Sequence, residues 1–256
     1  MANPNLKENK FKRLLCLPFR SAVRALFPVT YVKLQYKYIT HHKLNLKNPV
    51  RYTEKLQYLR LYTYPNNPLV SQCASRDGVR QYVKDNGLED ILIPIYGIYD
   101  HFDDIDFNQL PNSFVMKCTH ACAFNKIIKD KQLIDIKKLR KTFNKWLKIN
   151  YGNKTLEKHY SPIKPRIIIE QYIGEIEHLP VEYKIHVFNG VAKSMYVVTG
   201  RNENIRYNNY YIDWTNFDGS QFNGWKKSDK EITPPSNWNK MVEIAELLAK
   251  PFPFVR

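Results

Sequence analysis

FVMKCTHACAFNKII, residues 114–128, is the stretch on which the reading of this chain turns. Apolar runs at its two ends flank a connection of small and polar residues, the pattern of two paired strands with a tight hairpin loop. Lys117 falls at the end of the first run. An ammonium there is costly to bury unless it meets an anion, so a phosphate or a carboxylate partner is expected. Loops that cradle phosphate favour glycine, because backbone N–H groups must approach the oxygens with no Cβ in the way. Ala121 and Ala123 stand at those places here. Cys118, His120 and Cys122 alternate, which on a strand would put three soft ligands on one face, although no clear fourth ligand completes a zinc site. The residues alone leave three readings: a nucleotide loop, a metal site, or small side chains packing a connection.

Outward from this hairpin the chain reads as α+β. RIIIEQYI (166–173) is a buried strand, and Glu170 either caps its end in solvent or accepts from a sugar or base. EYKIHVFNGVAKSMYVVTG (182–200) is two alternating runs joined by Asn189-Gly190, a dipeptide suited to the positive φ angles of a type I′ turn. Its first run puts Glu182 and Lys184 on one face, by itself an ordinary surface ion pair. Helices are expected over 135–150 and 237–250, and PFPFVR (251–256) begins another strand. Upstream, TEKLQYLRLY (53–62) reads as a helix with Thr53 as N-cap, and another helix runs from Ser75 or nearby to Gly87. Residues 7–40 read as two helical pieces broken at Pro28. The acids of DHFDDIDF (100–107) look at first like metal ligands, but Phe102, Ile105 and Phe107 suggest a loop pinned by apolar anchors. The expected organisation is a basic helical segment 1–40, a mostly helical region 41–112 and an α+β region 113–256.

The charge is uneven. Of a net +16, residues 1–60 hold thirteen Lys/Arg against Glu8 and Glu54, so the basic surplus is concentrated at the N-terminus. KFKRLLCLPFRSAVRALFP (10–28) reads first as a helix docked by its Leu/Val/Phe face, next as a contact with a membrane surface, and last as a nucleic-acid contact. The run from Leu14 to Phe19 is too short to span a bilayer or to serve as a secretory core, which places the chain in the cytoplasm. Four cysteines in this length do not form a disulfide framework and are expected to be free thiols. No Ser-His-Asp or Cys-His constellation, Walker loop or dinucleotide-binding turn occurs.

The segments LNLKNPVRYTEKLQYLRLY, IPIYGIYDHFDDIDFNQLPNSFVMKCTHACAFNKIIKDK, KPRIIIEQYI, VEYKIHVFNG and PFPFVR, in this order, resemble the TupA-like ATP-grasp family of bacterial surface-polysaccharide clusters, from about residue 40 to 256. The resemblance implies a two-lobed ATP-grasp fold that uses ATP and Mg²⁺ to activate a carboxylate for attack by an amine. It implies that Lys117 holds the α/β-phosphates and that the loop of His120, Ala121, Cys122, Ala123 and Asn125 folds over the β/γ-phosphates. Glu170, Gln171, Tyr172 and Ile173 would be the hinge that reads adenine, Glu182 would accept from the ribose, Lys184 would lie near the phosphates, and Arg256 matches a catalytic arginine. It further implies a nucleotide and an acidic polysaccharide or lipid-linked glycan intermediate as partners, at the inner face of the membrane, where residues 1–40 would make a peripheral contact.

The chain departs from that family pattern at three places. Its loop reads His-Ala-Cys-Ala where a His-Gly-Ser-Gly-like sequence is common, and Ala74-Ser75-Arg76 replaces Ala-Asp-Lys. The family's Asp and its later GE-x-T segment, which resemble the magnesium ligands, follow the position of Arg256, so the chain is expected to be truncated before its metal-binding strands and impaired in phosphoryl transfer. Members of the family are also labelled glycosyltransferases from their gene neighbourhood. That activity on capsule or lipopolysaccharide intermediates is the alternative, with Asp103-Asp104-Ile105-Asp106 as its metal motif, and a non-catalytic basic module for membrane or nucleic acid is a third.

Overall fold

The computed structural model describes residues 20–174, 179–201, 204–219 and 225–256. The part of the expected 7–40 helices before residue 20 lies outside these. Of the described residues, 20–172 form one compact unit and 173–256 another.

The first unit opens with a helical stretch over 20–26, interrupted at Phe27 and followed by α1 (Pro28–Thr40), where Pro28 takes the first turn, a position whose N–H would be orphaned in any case. Val32 and Tyr36 on this helix are buried with Leu44 and Leu156. The next helix, α2 (Tyr52–Tyr58), continues into a π turn over Leu59–Thr63. Thr53 does not cap it. Its hydroxyl instead meets the Tyr36 hydroxyl at 2.9 Å, and the buried Glu54 carboxylate accepts from the backbone of Asn45, Val50 and Arg51. An acid in the first helical turn can gather loop amides from several directions, which a short hydroxyl cannot. Ser75 also differs from expectation: it ends α3 (Pro68–Ala74), which Asn67 caps, and α4 (Gly78–Asp85) begins later. Pro68 at the first position of α3 and the Asn67 cap were the local signals for that helix.

Four antiparallel strands make the sheet of this unit: β1 (Ile95–Tyr99), β2 (Phe114–Cys118), β3 (Asn125–Ile128) and β4 (Ile167–Gln171), in the order β1-β4-β2-β3. Helix α5 (Ile136–Leu147), capped by Asp135, covers one face. Phe114, Met116, Cys118, Ile167 and Ile169 point there and bury against Leu139 and Phe143. Because strand side chains alternate, Val115, Lys117, Ile168 and Glu170 point to the opposite face. A short α6 (Tyr151–Thr155) follows α5. The 100–107 loop is held by buried Phe102 and Ile105, as its apolar anchors suggest.

The second unit is a sheet of β5 (Glu182–Phe188), β6 (Val191–Thr199), β7 (Arg206–Tyr211), β8 (Lys226–Lys227) and β9 (Phe254–Val255), ordered β8-β7-β6-β5-β9. Asn189 (φ 48°) and Gly190 (φ 78°) close the β5–β6 hairpin through two left-handed residues, as the dipeptide predicts. Helix α7 (Trp238–Ala249) covers one face, where Trp238 packs with Met195, Val197 and Tyr210. The resulting architecture is α+β, and no helix among the described residues is long and apolar enough to cross a membrane.

Candidate functional site

Lys117 sits near the end of β2 on the face away from α5, and its ammonium is paired with the Glu170 carboxylate on β4. Antiparallel register sets Val115 opposite Glu170 and Lys117 opposite Ile168, so the two charges meet diagonally across the strands. The anion implied by the sequence is thus a carboxylate of the same chain. Glu170 neither caps a strand end in solvent nor stands open to a ligand: it is 6% exposed and spent on Lys117. Burying the pair together avoids the penalty of leaving either charge alone.

Strand alternation stops at Cys118, and the loop that follows is knitted to its surroundings. Thr119 N–H donates to Arg166 O, Arg166 N–H donates to the Thr119 hydroxyl, and that hydroxyl donates to Lys164 O. Arg76 donates from its backbone to Thr119 O and from Nε to Cys118 O, both at 3.1 Å. Arg76 and Thr119 therefore fix where the loop begins, and neither stood out among the candidates. Their roles depend on partners 42 and 47 residues away, which no local pattern reports.

Inside the loop the candidates separate. His120 and Ala121 are buried, with the imidazole edge-on to Phe124, whereas Cys122, Ala123 and Asn125 are exposed. Burial pushes the His120 imidazole below its ordinary pKa, although the nearby carbonyls of Trp146 and Ile149 oppose this. Cys118 is buried and its thiol is pushed up to about 12 by desolvation, and the Cys122 sulfur lies 3.1 Å from the Tyr160 hydroxyl. These three side chains do not converge, and no group of three or more His, Cys, Asp or Glu able to hold a metal occurs among the described residues. The one-face zinc arrangement fails because the chain leaves the strand at the first of its ligands. Ala123 adopts φ 62°, a left-handed conformation that favours glycine.

Gln171 ends β4, its backbone N–H donating to Pro94 O, Tyr172 follows, and Ile173 is exposed. The two compact units divide in sequence between Tyr172 and Ile173.

The second unit gathers Glu182, Lys184 and Arg256 on the face of its sheet away from α7. Lys184 Nζ lies 2.6 Å from Glu182, and Arg201 closes on the same carboxylate from Nε and from Nη2, the latter at 2.8 Å. Burial alone would push the Glu182 carboxyl up, but Arg201 and Lys184 together hold it below its ordinary value. Tyr196, opposite Lys184 on β6, carries the Arg256 guanidinium over its ring at 5.6 Å. His186 stacks obliquely on Tyr196, and its Nδ1 lies 3.1 Å from the Ser194 hydroxyl. Burial, then the Arg256 charge, lowers the His186 pKa to about 4, so it is neutral near pH 7. Two cations on one carboxylate, with Arg256 over the neighbouring Tyr196 ring, leave an excess of positive charge on this face that suits an anion. Arg201 was the residue missed here; Gly200 at φ 61° just before it, at the end of β6, turns the chain back toward Glu182.

The acids of the 100–107 loop serve local structure. Asp103 pairs with Arg140 at 2.8 Å, Asp104 accepts from His101 N–H, and Asp106 accepts from Asn108 N–H.

Compared with known protein families, the sequence matches the TupA-like ATPgrasp model over residues 54–256. The chain belongs to the TupA-like ATPgrasp family. Comparison with curated proteins and with solved structures gave no match. The ATP-grasp family generally binds ATP and Mg²⁺. Within the first unit, an ammonium beside exposed loop backbone is chemistry that a phosphate group can use. The described carboxylates suit a metal less well: Glu170 and Glu182 are each consumed by cations, and magnesium needs carboxylate oxygens free to face it.

Proposed function

We propose that this TupA-like ATP-grasp chain binds ATP through Lys117 and the exposed loop backbone from Cys122 to Asn125, as part of a carboxylate-amine ligation in bacterial surface-polysaccharide synthesis. ATP, when bound, supplies the phosphoryl group that activates a carboxylate. The observation carrying this reading is a strand-borne lysine held ready by an internal carboxylate beside a hairpin loop, in a chain matched by the family model along most of its length. Glu170 holds the Lys117 ammonium in place, and N–H groups of that ammonium not given to the carboxylate can meet a phosphate oxygen while the pair stays intact.

On the second sheet, Lys184, Arg201 and Arg256 offer charge-assisted donors to an anionic group, and Glu182 offers the acceptor for a hydroxyl. An acidic glycan intermediate at the inner membrane face suits the basic excess of the chain. Peripheral attachment there is supported by α1, where Leu34 and Tyr38 are exposed beside Lys33 and Lys37.

Thermal-shift titration with ATP and Mg²⁺ tests the proposal, with a UDP-sugar in parallel. A ligand at a hundred times its Kd stabilises the native state by about 2.7 kcal/mol. The expected result is a shift with ATP that Lys117→Ala removes, with folding of the variant checked by circular dichroism. No shift with ATP on the folded chain, or an equal shift in Lys117→Ala, would overturn it. A shift with the UDP-sugar alone would move the reading to sugar transfer.

A further inference from the structure

We infer that the free edge of β3 and the groove beside it form a docking site for an extended, acidic peptide segment of a partner protein. Cys118 N–H donates to Phe124 O at 2.8 Å, which makes these opposed residues a hydrogen-bonded pair. In an antiparallel ladder such pairs alternate with pairs whose N–H and C=O point away from each other. The bonded pairs in the hairpin are then Met116 with Lys126 and Phe114 with Ile128. Asn125 and Ile127 therefore aim their N–H and C=O outward from the sheet. Among the described residues no strand pairs with β3 on that side, and both residues are exposed.

Alongside this edge runs a groove of about 430 Å³ between β3 and α5, lined among others by Lys126, Ile127, Leu133, Lys138 and Thr142. Leu133 is 82% exposed, an apolar contact point without a cover. The surrounding stretch 126–148 holds nine Lys/Arg against two acids, Asp130 and Asp135. Both acids are engaged as caps, accepting from Gln132 N–H and Lys138 N–H at 2.9 Å. Charge selects an acidic occupant, and the spaced outward donors and acceptors select a polypeptide backbone, which adds to a sheet edge in register. A glycan or nucleic acid would use the lysines and leave the edge unpaired. A second copy of this edge would bring like charges together, the usual protection of exposed edges.

Fluorescence anisotropy on the full chain, with a short alternating Glu-Val peptide at low salt, tests the inference against three comparisons: a matched Lys-Val peptide, an oligogalacturonate, and Glu-Val peptides N-methylated at alternate residues in either phase. The Glu-Val peptide should bind. Methylation in one phase should weaken binding about tenfold or more, because it removes hydrogen bonds to the edge, while the other phase stays within about threefold. Ile127→Pro, which removes an outward N–H and no bond to β2, should have the same effect as the disruptive phase. Failure of the Glu-Val peptide to bind, equal binding by both methylated forms, or equally tight binding by the oligogalacturonate would overturn the inference, the last leaving only a polyanion surface.

Discussion

Replacing Ala123 by glycine should stabilise the protein, although glycine substitutions ordinarily do the reverse. Ala123 lies at φ 62° in the hairpin loop, and its side chain is exposed, so the change removes no packing. The left-handed conformation costs a residue with a Cβ about 1–2 kcal/mol. Glycine avoids this but gives up about 0.5–1 kcal/mol through its greater freedom in the unfolded chain. The balance is a gain of about 0.5–1 kcal/mol, or roughly 1–4 °C in Tm for a unit of this size. Ala121→Gly is the control two residues away. Ala121 is 3% exposed and is not among the positive-φ residues, so glycine there loses a buried methyl and the backbone advantage, about 1–2 kcal/mol in total. Urea denaturation followed by circular dichroism should move the two variants in opposite directions. A loss of stability in Ala123→Gly, or a shift of the same sign in both, would refute the view that backbone strain in this loop is set by Ala123.

Three other outcomes follow from particular contacts. Lys117→Met should cost about 2–4 kcal/mol because it strands the buried Glu170 carboxylate, and adding Glu170→Gln should recover most of that loss in a double-mutant cycle by denaturation. His159, lowered to about 4 by burial and then by Arg60, and His186, lowered to about 4 by burial and then by Arg256, are both neutral in the fold at pH values where the unfolded chain takes up protons. Their contribution to stability is therefore complete above the ordinary value of 6.5 and is lost as pH falls from there toward 4; Tm against pH should slope over that window, less steeply in His186→Gln. Gly152→Ala should destabilise by about 1–3 kcal/mol, because a Cβ at that position would stand 2.3 Å from the Ser161 hydroxyl and 2.7 Å from its backbone nitrogen; a thermal melt equal to that of the parent would contradict this.

The sequence by itself determined the elements whose signals are local. The strands around Lys117, the isoleucine strand that carries Glu170, the Asn189-Gly190 hairpin and the helices that begin after Asp135 and Asn237 all follow from periodicity and turn chemistry within a few residues. Ordered motifs along the chain also carried the family resemblance, since the order of segments is itself a linear property. Local signals misled where one residue had competing uses. Thr53 resembled a cap, but the Glu54 carboxylate beside it could serve three amides while the hydroxyl reached Tyr36.

Tertiary structure alone decided what each charged candidate faces. Lys117 meets Glu170 from 53 residues away, Arg166 meets Asp77 from 89, and Arg201 joins Glu182 because β5 and β6 pair in one register. That register is fixed by burying one face of each sheet under a helix, and a slip of one residue would send Lys117, Glu170 or Glu182 to the opposite face of its sheet. The same closure forces Ala123 into the left-handed region and leaves β3 without a neighbour on its outer side among the described residues. A sequence states which charges the chain possesses; the burial of its apolar faces settles which of them remain available to a ligand.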